Sequence, residues 1–506
     1  MNLTIGKWIP IVWSDGRYGK VGLLDIFQQG DLIADLAVRP HERIALMRLL
    51  ICIAQAALDG PANRDDWKTC LPRIAPAATD YLNRWQRSFE LFGDGPRFLQ
   101  VMEIESAKAG NGDDNSPSKL DMALATGSNT TLFDNGGAGV RYFAPEYMAV
   151  ALLTYQNFSP GGLIGEVSWL GRKMGRSSNN APCILKAMIH SYIRKDCVLD
   201  TLHANLLNKE LITTAGQKWG CPIWEAMPSS HGDKLSLENA TSTYLGRLVP
   251  LSRLIRLDSA GRGMILGAGW IYEPGWREAA STRIAKKINK KDEIIELAAS
   301  PEKAIWREAH SLAVVQKTAA SELSGPLALG QADLQAPVDL WSGALVANKA
   351  KLIDTVESVL RLPPAMFADQ GQSIYRDGVQ EAETGARKLF RAIARYHKLL
   401  NDDLEKRELR KRGDKVKEKA AAHYWTAIEQ HVPDLLKITE NPELLYPDGA
   451  EQACWSKTPW GQAVARQARA AYDLACPHES PRHMHAYVEG LKSLYGSQAK
   501  PEEAVS

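Results

Sequence analysis

The sequence lacks a membrane-spanning run, a cysteine framework and any strong excess of charge. No apolar stretch reaches the roughly 18 to 20 residues that a membrane span needs, and the N-terminus, Met-Asn-Leu-Thr-Ile-Gly-Lys-Trp, lacks a signal-peptide core. The 7 cysteines are an odd number without a CxxC pair, which argues against a disulfide framework and a zinc ribbon. These absences predict a cytoplasmic globular protein with no membrane partner.

Signatures of catalysis are missing as well. The chain contains no Walker phosphate loop, no HExxH and no GxSxG motif. The best metal candidate is the group His478, His483 and His485, because two imidazoles at i, i+2 in an extended segment can face one ion. A proline-rich helix entry explains the same residues, so we expect no enzyme, no cofactor and no metal. A metal-dependent hydrolase that uses these histidines stays open as an alternative.

Hydrophobic periodicity predicts an α+β chain of two parts. Residues 8–24 are typical of a β-hairpin, and residues 41–58 predict a buried helix that ends at Asp-Gly-Pro. Mixed strands, turns and short helices are expected up to about residue 345. The last third has amphipathic helical spacing in four segments, at 351–362, 379–400, 420–437 and 460–495. We therefore predict a large mixed α/β N-terminal domain, 1–348, followed by a C-terminal antiparallel four-helix bundle, 349–506.

Positive charge is concentrated locally, although the net charge is only +2. Each of three clusters is able to neutralise phosphates, and each is also compatible with a solvated surface. Acidic residues interrupt the third cluster, which favours an ordinary exposed helix there. The clusters are Arg172, Lys173 and Arg176; Arg283, Lys286, Lys287, Lys290 and Lys291; and the basic residues between Lys406 and Lys419.

Five segments match one known family in their order and spacing. They are the opening at 2–10, the helix at 49–55, the polar loop at 126–135, the helix end at 152–156 with its glycine loop, and the C-terminal helical region. Together they resemble the CasA family, the large subunits of the type I-E CRISPR complex called Cascade. The resemblance implies a mixed α/β domain followed by a four-helix bundle, which agrees with the boundary drawn from periodicity.

The resemblance also implies contact with a guide RNA. In the family, the loop that matches residues 129–135 holds the 5′ handle of the RNA. Here Phe133 is suited to stack on a base, while Asn129 and Asp134 hydrogen-bond to base or sugar edges and Leu132 lies between them. The alternative is that Phe133 anchors the loop on the protein core.

Recognition of a short duplex signal beside the target, the protospacer-adjacent motif (PAM), is the third implication. The family reads this motif from the minor groove with a glycine loop, a basic finger and a glutamine-tipped hairpin. Glycine permits close backbone approach, and an inserted amide can displace a base pair while hydrogen-bonding its edges. The matching residues are Ser159, Pro160, Gly161 and Gly162 for the loop, Arg262 for the finger and Gln335 for the hairpin tip.

These implications define an expected role and its partners. The chain is expected to nucleate R-loop formation by the guide RNA within Cascade, beside backbone and small subunits, and to help recruit a separate helicase-nuclease. Arg172, Lys173 and the lysines at 286, 287, 290 and 291 are expected to contact DNA. A purely architectural helical adaptor is the remaining alternative, and it predicts no preference for DNA.

Overall fold

The structure is a computed structural model that divides the chain into two compact units. The first comprises Met1–Ile305 and Val314–Arg361, and the second comprises Trp306–Ala313 and Leu362–Ser506. The α+β class is confirmed, because the first unit contains the strands and the second is helical. The residues described are 1–106, 115–124, 141–160, 162–175, 177–178, 183–184, 187–288, 291–316, 322–348, 351–400 and 406–495.

The strands of the first unit form several small sheets rather than one large sheet. Three sheets have three strands, in the orders β2-β1-β3, β15-β14-β9 and β4-β6-β7, and the pairs β10-β11, β12-β13 and β5-β8 are two-stranded. The strands are β1 Ile9–Trp13, β2 Tyr18–Val21, β3 Ile33–Leu36, β4 Ile104–Ser106, β5 Gly162–Leu163, β6 Val167–Trp169, β7 Arg172–Lys173, β8 Ser177–Ser178, β9 His190–Arg194, β10 Arg253–Leu257, β11 Met264–Ala268, β12 Arg283–Ile288, β13 Lys291–Glu296, β14 Val338–Asn348 and β15 Lys351–Leu362.

The helices of the first unit surround one nearly all-buried helix, α2. The predicted helix at 41–58 is confirmed in α2, where Pro40 occupies the first turn and the Glu42 carboxylate accepts from the Arg39 backbone N–H at 2.9 Å. The hairpin predicted at 8–24 is confirmed as β1-β2. The helices are α1 Leu23–Gln28, α2 Pro40–Leu58, α3 Arg64–Thr69, α4 Leu71–Arg84, α5 Pro145–Phe158, α6 Val198–Asn205, α7 Lys209–Thr214, α8 Lys234–Ser242 and α9 Tyr244–Leu248.

The second unit is a helical bundle built around its longest helix. Trp460 donates its indole N–H to the Gly378 carbonyl at 2.8 Å, and the Tyr424 hydroxyl donates to the Ala382 carbonyl at 2.7 Å. Four helices of 15 residues or more are present in the described part of the unit. Its helices are α10 Ala309–Leu312, α11 Asp369–Leu400, α12 Lys406–Glu429, α13 Val432–Glu440, α14 Pro459–Ala475 and α15 Pro481–Tyr495.

The helix predicted at 351–362 is wrong, because this segment is strand β15. Its apolar spacing fits a helix, yet Leu360 and Leu362 are buried on either side of an exposed Arg361, which is the alternation of a strand. β-Branched residues at 353, 355, 356 and 359 favour the strand, and pairing with β14 fixes it. The boundary predicted between 348 and 349 consequently falls within the first unit, which continues to Arg361.

In the described part of the chain, no helix is both long enough and apolar enough to cross a membrane.

Candidate nucleic-acid interface

The predicted glycine loop leaves the end of α5 at a fixed backbone position. Ser159, the residue after α5, is fully buried, and the Pro160 carbonyl accepts a hydrogen bond from the Arg253 guanidinium. Gly162 pairs with Ser178 in the short β5-β8 ladder. Gly161 lies outside the described residues. The described loop residues are therefore held on both sides, by α5 and by a strand.

A buried arginine supports this loop from below. The Arg253 side chain is 1% exposed, and its Nε and Nη1 atoms have no hydrogen-bond partner among the described residues. Burial lowers the pKa of this guanidinium, and the neighbouring Tyr155 hydroxyl offsets part of that effect. The Gln156 amide locks the same strand to α5, since it donates to the Arg253 carbonyl at 3.0 Å and accepts from the Arg253 N–H at 2.9 Å. Sequence reasoning missed Arg253; its only signal was an arginine at the start of a mostly apolar strand.

The lysine cluster lies on an exposed β-hairpin. Lys286 and Lys287 lie on β12 opposite Glu293 and Asp292 of β13, and all four side chains are exposed. Lys291 begins β13 and is also exposed, whereas Lys290 lies outside the described residues. The hairpin therefore presents lysines to solvent, and Lys286 and Lys287 each face an acidic residue on the opposite strand.

The base of this hairpin is anchored to a buried charge network. Arg48 Nη1 donates to Glu278 Oε2 at 2.6 Å, and Arg247 Nη2 donates to Glu278 Oε1 at 3.3 Å. Although burial raises the pKa of Glu278, the two guanidinium charges hold it below its usual range. Arg283, at the start of β12, pairs with Glu296 at 2.8 Å. Two buried cations around one carboxylate thus fix the segment that leads into the hairpin.

Two residues of the first basic cluster lie on a small exposed ladder, and the third, Arg176, lies outside the described residues. Arg172 and Lys173 form β7 and are exposed, and Lys173 Nζ lies 3.3 Å from the Glu166 carboxylate. Burial and, to a lesser extent, the Arg172 charge lower the pKa of His231. Arg172 thus lies near the 229–233 loop, whose Asp233 accepts from Ser236 N–H and caps α8.

Arg262 is not beside the glycine loop. It lies in the turn between β10 and β11, where the Asp258 carboxylate accepts from its backbone N–H at 2.7 Å, and its guanidinium is 5.8 Å from the centre of the exposed Tyr142 ring. The loop contacts Arg253 at the opposite end of β10, and the strand's four residue steps span about 13 Å. Arg262 therefore belongs with the start of α5, and the structure does not bring it together with Ser159 and Gly162.

Gln335 is exposed, but it is not at the tip of a β-hairpin. Leu327–Gly330 is a 3₁₀ helix, and Gln335 follows in an irregular loop that ends at Pro337 before β14. The Gln335 backbone N–H donates to Asp333 at 3.0 Å, which shapes the loop. The hairpin was implied by the family resemblance alone, and in the structure Leu327 and Leu329 are both buried in the 3₁₀ turn.

Asn129, Leu132, Phe133 and Asp134 lie outside the described residues, but both segments that flank them are anchored at one buried carboxylate. Asp121 accepts two hydrogen bonds from Arg39, each at 3.2 Å, and one from the Tyr147 hydroxyl on α5. Although burial raises the pKa of Asp121, the Arg39 charge holds it below its usual range.

The three histidines of the alternative metal site point to different neighbours. The ring centre of His478 lies 4.4 Å from that of Tyr487. His483 Nδ1 lies 3.0 Å from the Ser480 hydroxyl, and the His483 ring stacks on Tyr396. Among the described residues, no three His, Cys, Asp or Glu side chains are grouped as a metal site requires. The geometry gives the hydrolase alternative no support.

Residues 2–471 match the family described as CRISPR-associated protein Cse1 (CRISPR_cse1). A relative from Thermus thermophilus, "CRISPR-associated protein CasA/Cse1", is 28% identical over 420 aligned positions that cover 78% of each chain. A crystal structure of CasA from Thermus thermophilus has a TM-score of 0.74 at 21% identity and 98% coverage of both chains. A chain of a structure named "CRISPR RNA-guided surveillance complex" has a TM-score of 0.71 at 15% identity, with 98% of this chain and 99% of that chain covered. Because the family match covers nearly the whole sequence, the chain belongs to the CRISPR-associated protein Cse1 family.

Proposed function

We propose that this chain is the large subunit of a type I-E Cascade complex and reads the PAM of double-stranded DNA from the minor groove. Membership of the Cse1 family and the fold shared with a chain of an RNA-guided surveillance complex support this role. The observation that carries it is the backbone at Ser159–Pro160, held by the buried Arg253 and by α5. A reader of groove shape needs such a preorganised backbone, because the minor groove offers only a degenerate pattern of donors and acceptors.

The loop and the wedge have separate tasks in this proposal. Gly161 and Gly162 allow the backbone after Pro160 to approach the groove, since no Cβ blocks it. Gln335, whose side chain is exposed, inserts beside the motif and strains the adjacent base pair. Base pairing by the guide RNA then reads the target, so the protein itself needs to recognise only the short motif.

Phosphate contacts hold the duplex against this site. Lys286, Lys287 and Lys291 on the β12-β13 hairpin, together with Lys290, supply one set of contacts, and Arg172 and Lys173 supply a second. Arg262 lies toward the other end of α5, beside Tyr142, and we assign it to the guide-RNA side of the protein instead of the PAM. There it joins Asn129, Leu132, Phe133 and Asp134, which grip the 5′ handle of the RNA.

The chain does no chemistry of its own in this proposal. It works in the cytoplasm with the backbone and small subunits of Cascade, promotes R-loop formation and presents the displaced strand to a helicase-nuclease that cleaves it. The architectural-adaptor alternative differs in one measurable respect, because it gives no dependence on the bases beside the target.

The test is DNA binding by reconstituted Cascade with and without this chain, on duplexes that differ only in the flanking bases, at one salt concentration. We expect a flank-dependent gain of about tenfold, or about 1.4 kcal/mol. Gln335→Ala should reduce this ratio, whereas Gln380→Ala, which removes an exposed glutamine from α11, should leave it unchanged. Binding that is indifferent to the flank contradicts the proposal and supports the adaptor.

A further inference from the structure

The second half of α11 carries a one-sided row of positive charge that the sequence clusters did not include. Arg387, Arg391, Arg395 and Lys398 follow the spacing i, i+4, i+8, i+11, which places them on one face of the helix, and all are exposed. We call these four residues the α11 basic stripe. No Asp or Glu occurs between Glu383 and Asp402 in the sequence.

The stripe is largely free of carboxylate partners. Arg395 alone of the four has one among the described residues, Glu489 on α15, at 3.3 Å. Glu489 is shared with Lys492, at 2.6 Å, so its charge is already engaged. Arg387 donates to the neutral Thr384 hydroxyl at 2.7 Å. Within the part of the chain that the structure describes, most of the stripe's charge therefore has no carboxylate partner.

The helix dipole does not account for this arrangement. Cations are favoured at a helix C-terminus, but the effect falls off within the last turn. Arg387 and Arg391 lie more than two turns before Leu400, the last residue of α11. The first half of α11, in contrast, places Arg376 beside Asp377, with the carboxylate 3.6 Å away.

We propose that the α11 basic stripe binds the sugar-phosphate backbone of duplex DNA, independently of sequence. The stripe is about 16 Å long, the rise of eleven residues, and a duplex presents about five phosphates per strand over that length. Non-specific binding to single strands relies on exposed aromatic side chains that stack on bases. The second half of α11 exposes no aromatic side chain, since Tyr396 is buried and Phe390 is half-buried. The exposed ring of Tyr495 lies on α15, where its hydroxyl accepts from Arg469, so the backbone of a duplex is the ligand that the stripe fits.

The test measures binding of the free full-length chain to a mixed-sequence duplex over a range of salt concentrations. Replacing Arg387, Arg391 and Lys398 with Gln should lower the slope of log K against log salt by about 2.7, or about 0.9 per lost phosphate contact. Binding at about 0.1 M salt should weaken at least tenfold. Glu489→Gln should strengthen binding, because it removes the carboxylate beside Arg395.

Matched controls separate this site from general electrostatics and from the proposed PAM site. Arg376→Gln, Lys437→Gln and Arg466→Gln together remove three exposed charges elsewhere in the second unit and should change the slope much less. Because the stripe contacts only the sugar-phosphate backbone, replacing it should weaken the binding of all duplexes equally, whatever bases flank the target. Failure of this proposal is therefore distinguishable from failure of PAM reading. An equal effect of the two triple variants overturns the proposal. So does a loss confined to single-stranded DNA, or a loss of assembly into Cascade with DNA binding intact.

Discussion

Replacing Arg253 with Met should impair recognition of the flanking bases without destabilising the fold. The guanidinium carries five N–H groups, and the three on Nε and Nη1 make no hydrogen bond of good geometry among the described residues, although the buried Tyr155 hydroxyl lies close to the guanidinium. An unpaired buried donor costs about 1–3 kcal/mol, whereas one hydrogen bond from a charged donor contributes about 1.5–3 kcal/mol. Loss of the bond to Pro160 is therefore offset, and we expect the free energy of unfolding to stay within about 1 kcal/mol of wild type or to rise.

The effect on function should be larger than the effect on stability. Without the guanidinium, the Pro160 carbonyl loses its anchor and the loop samples other backbone positions. In reconstituted Cascade, the ratio of affinities for duplexes with favoured and disfavoured flanks should fall about tenfold, or about 1.4 kcal/mol. Arg256→Met is the matched control, since Arg256 lies on the same strand but donates to the Met102 carbonyl at 3.2 Å, away from the loop.

Two results would refute this reasoning. Destabilisation of the Arg253→Met chain by more than about 3 kcal/mol, measured by urea unfolding, would mean that the buried guanidinium is well paired. An unchanged affinity ratio in a stable variant would mean that the loop needs no anchor at Pro160.

Three further predictions concern buried charge. Glu278→Gln should lower the free energy of unfolding by about 3–5 kcal/mol, measured by denaturant titration, because it leaves two buried guanidiniums unpaired; a loss below about 1 kcal/mol would contradict this. Asp121→Asn should weaken binding of the RNA handle, measured by fluorescence anisotropy, while Asp80→Asn on α4 should not. Burial lowers the pKa of His41 and of His190 to about 4, so the unfolded chain binds more protons between about pH 4 and 6.5. Stability should therefore fall with falling pH across that window, and the His190→Gln variant should show a shallower pH dependence; an unchanged slope would mean that His190 is protonated in the folded chain.

Helical segments were predictable where the hydrophobic spacing is long and regular. The apolar positions of α11 repeat over 32 residues, and this length separates a helix from a strand unambiguously. The helix predicted at 351–362 was wrong because the apolar spacing of this segment fits both a helix and a strand. Pairing with β14 selects the strand. A pairing of that kind is a tertiary contact that no local pattern contains.

The candidate site was predictable only in part, for a related reason. Gly162 and its neighbours were selected through the family resemblance. The structure adds the contact from Arg253 that holds this loop, which the local sequence does not reveal. Arg253 and Pro160 are 93 residues apart in the chain, so no spacing rule joins them. The sequence could not show that Arg262 lies in a turn near the start of α5, because a residue next to a strand carries no information about which end of that helix the turn approaches.

The position of Arg262 suggests why one helix matters to two recognition tasks. Helix α5 has 14 residues and is about 21 Å long. At its start, Tyr147 donates to Asp121, and Gly261 of the β10-β11 turn packs against Met148. At its end, Ser159 and Pro160 enter the glycine loop above Arg253. The Gln156 amide ties the end of α5 to the start of β10, and the β10-β11 turn packs against the start of α5, so strand and helix contact each other at both ends. In the proposed function, this pair of elements sets a fixed distance between the RNA handle and the PAM, so the guide begins pairing at one position beside the motif.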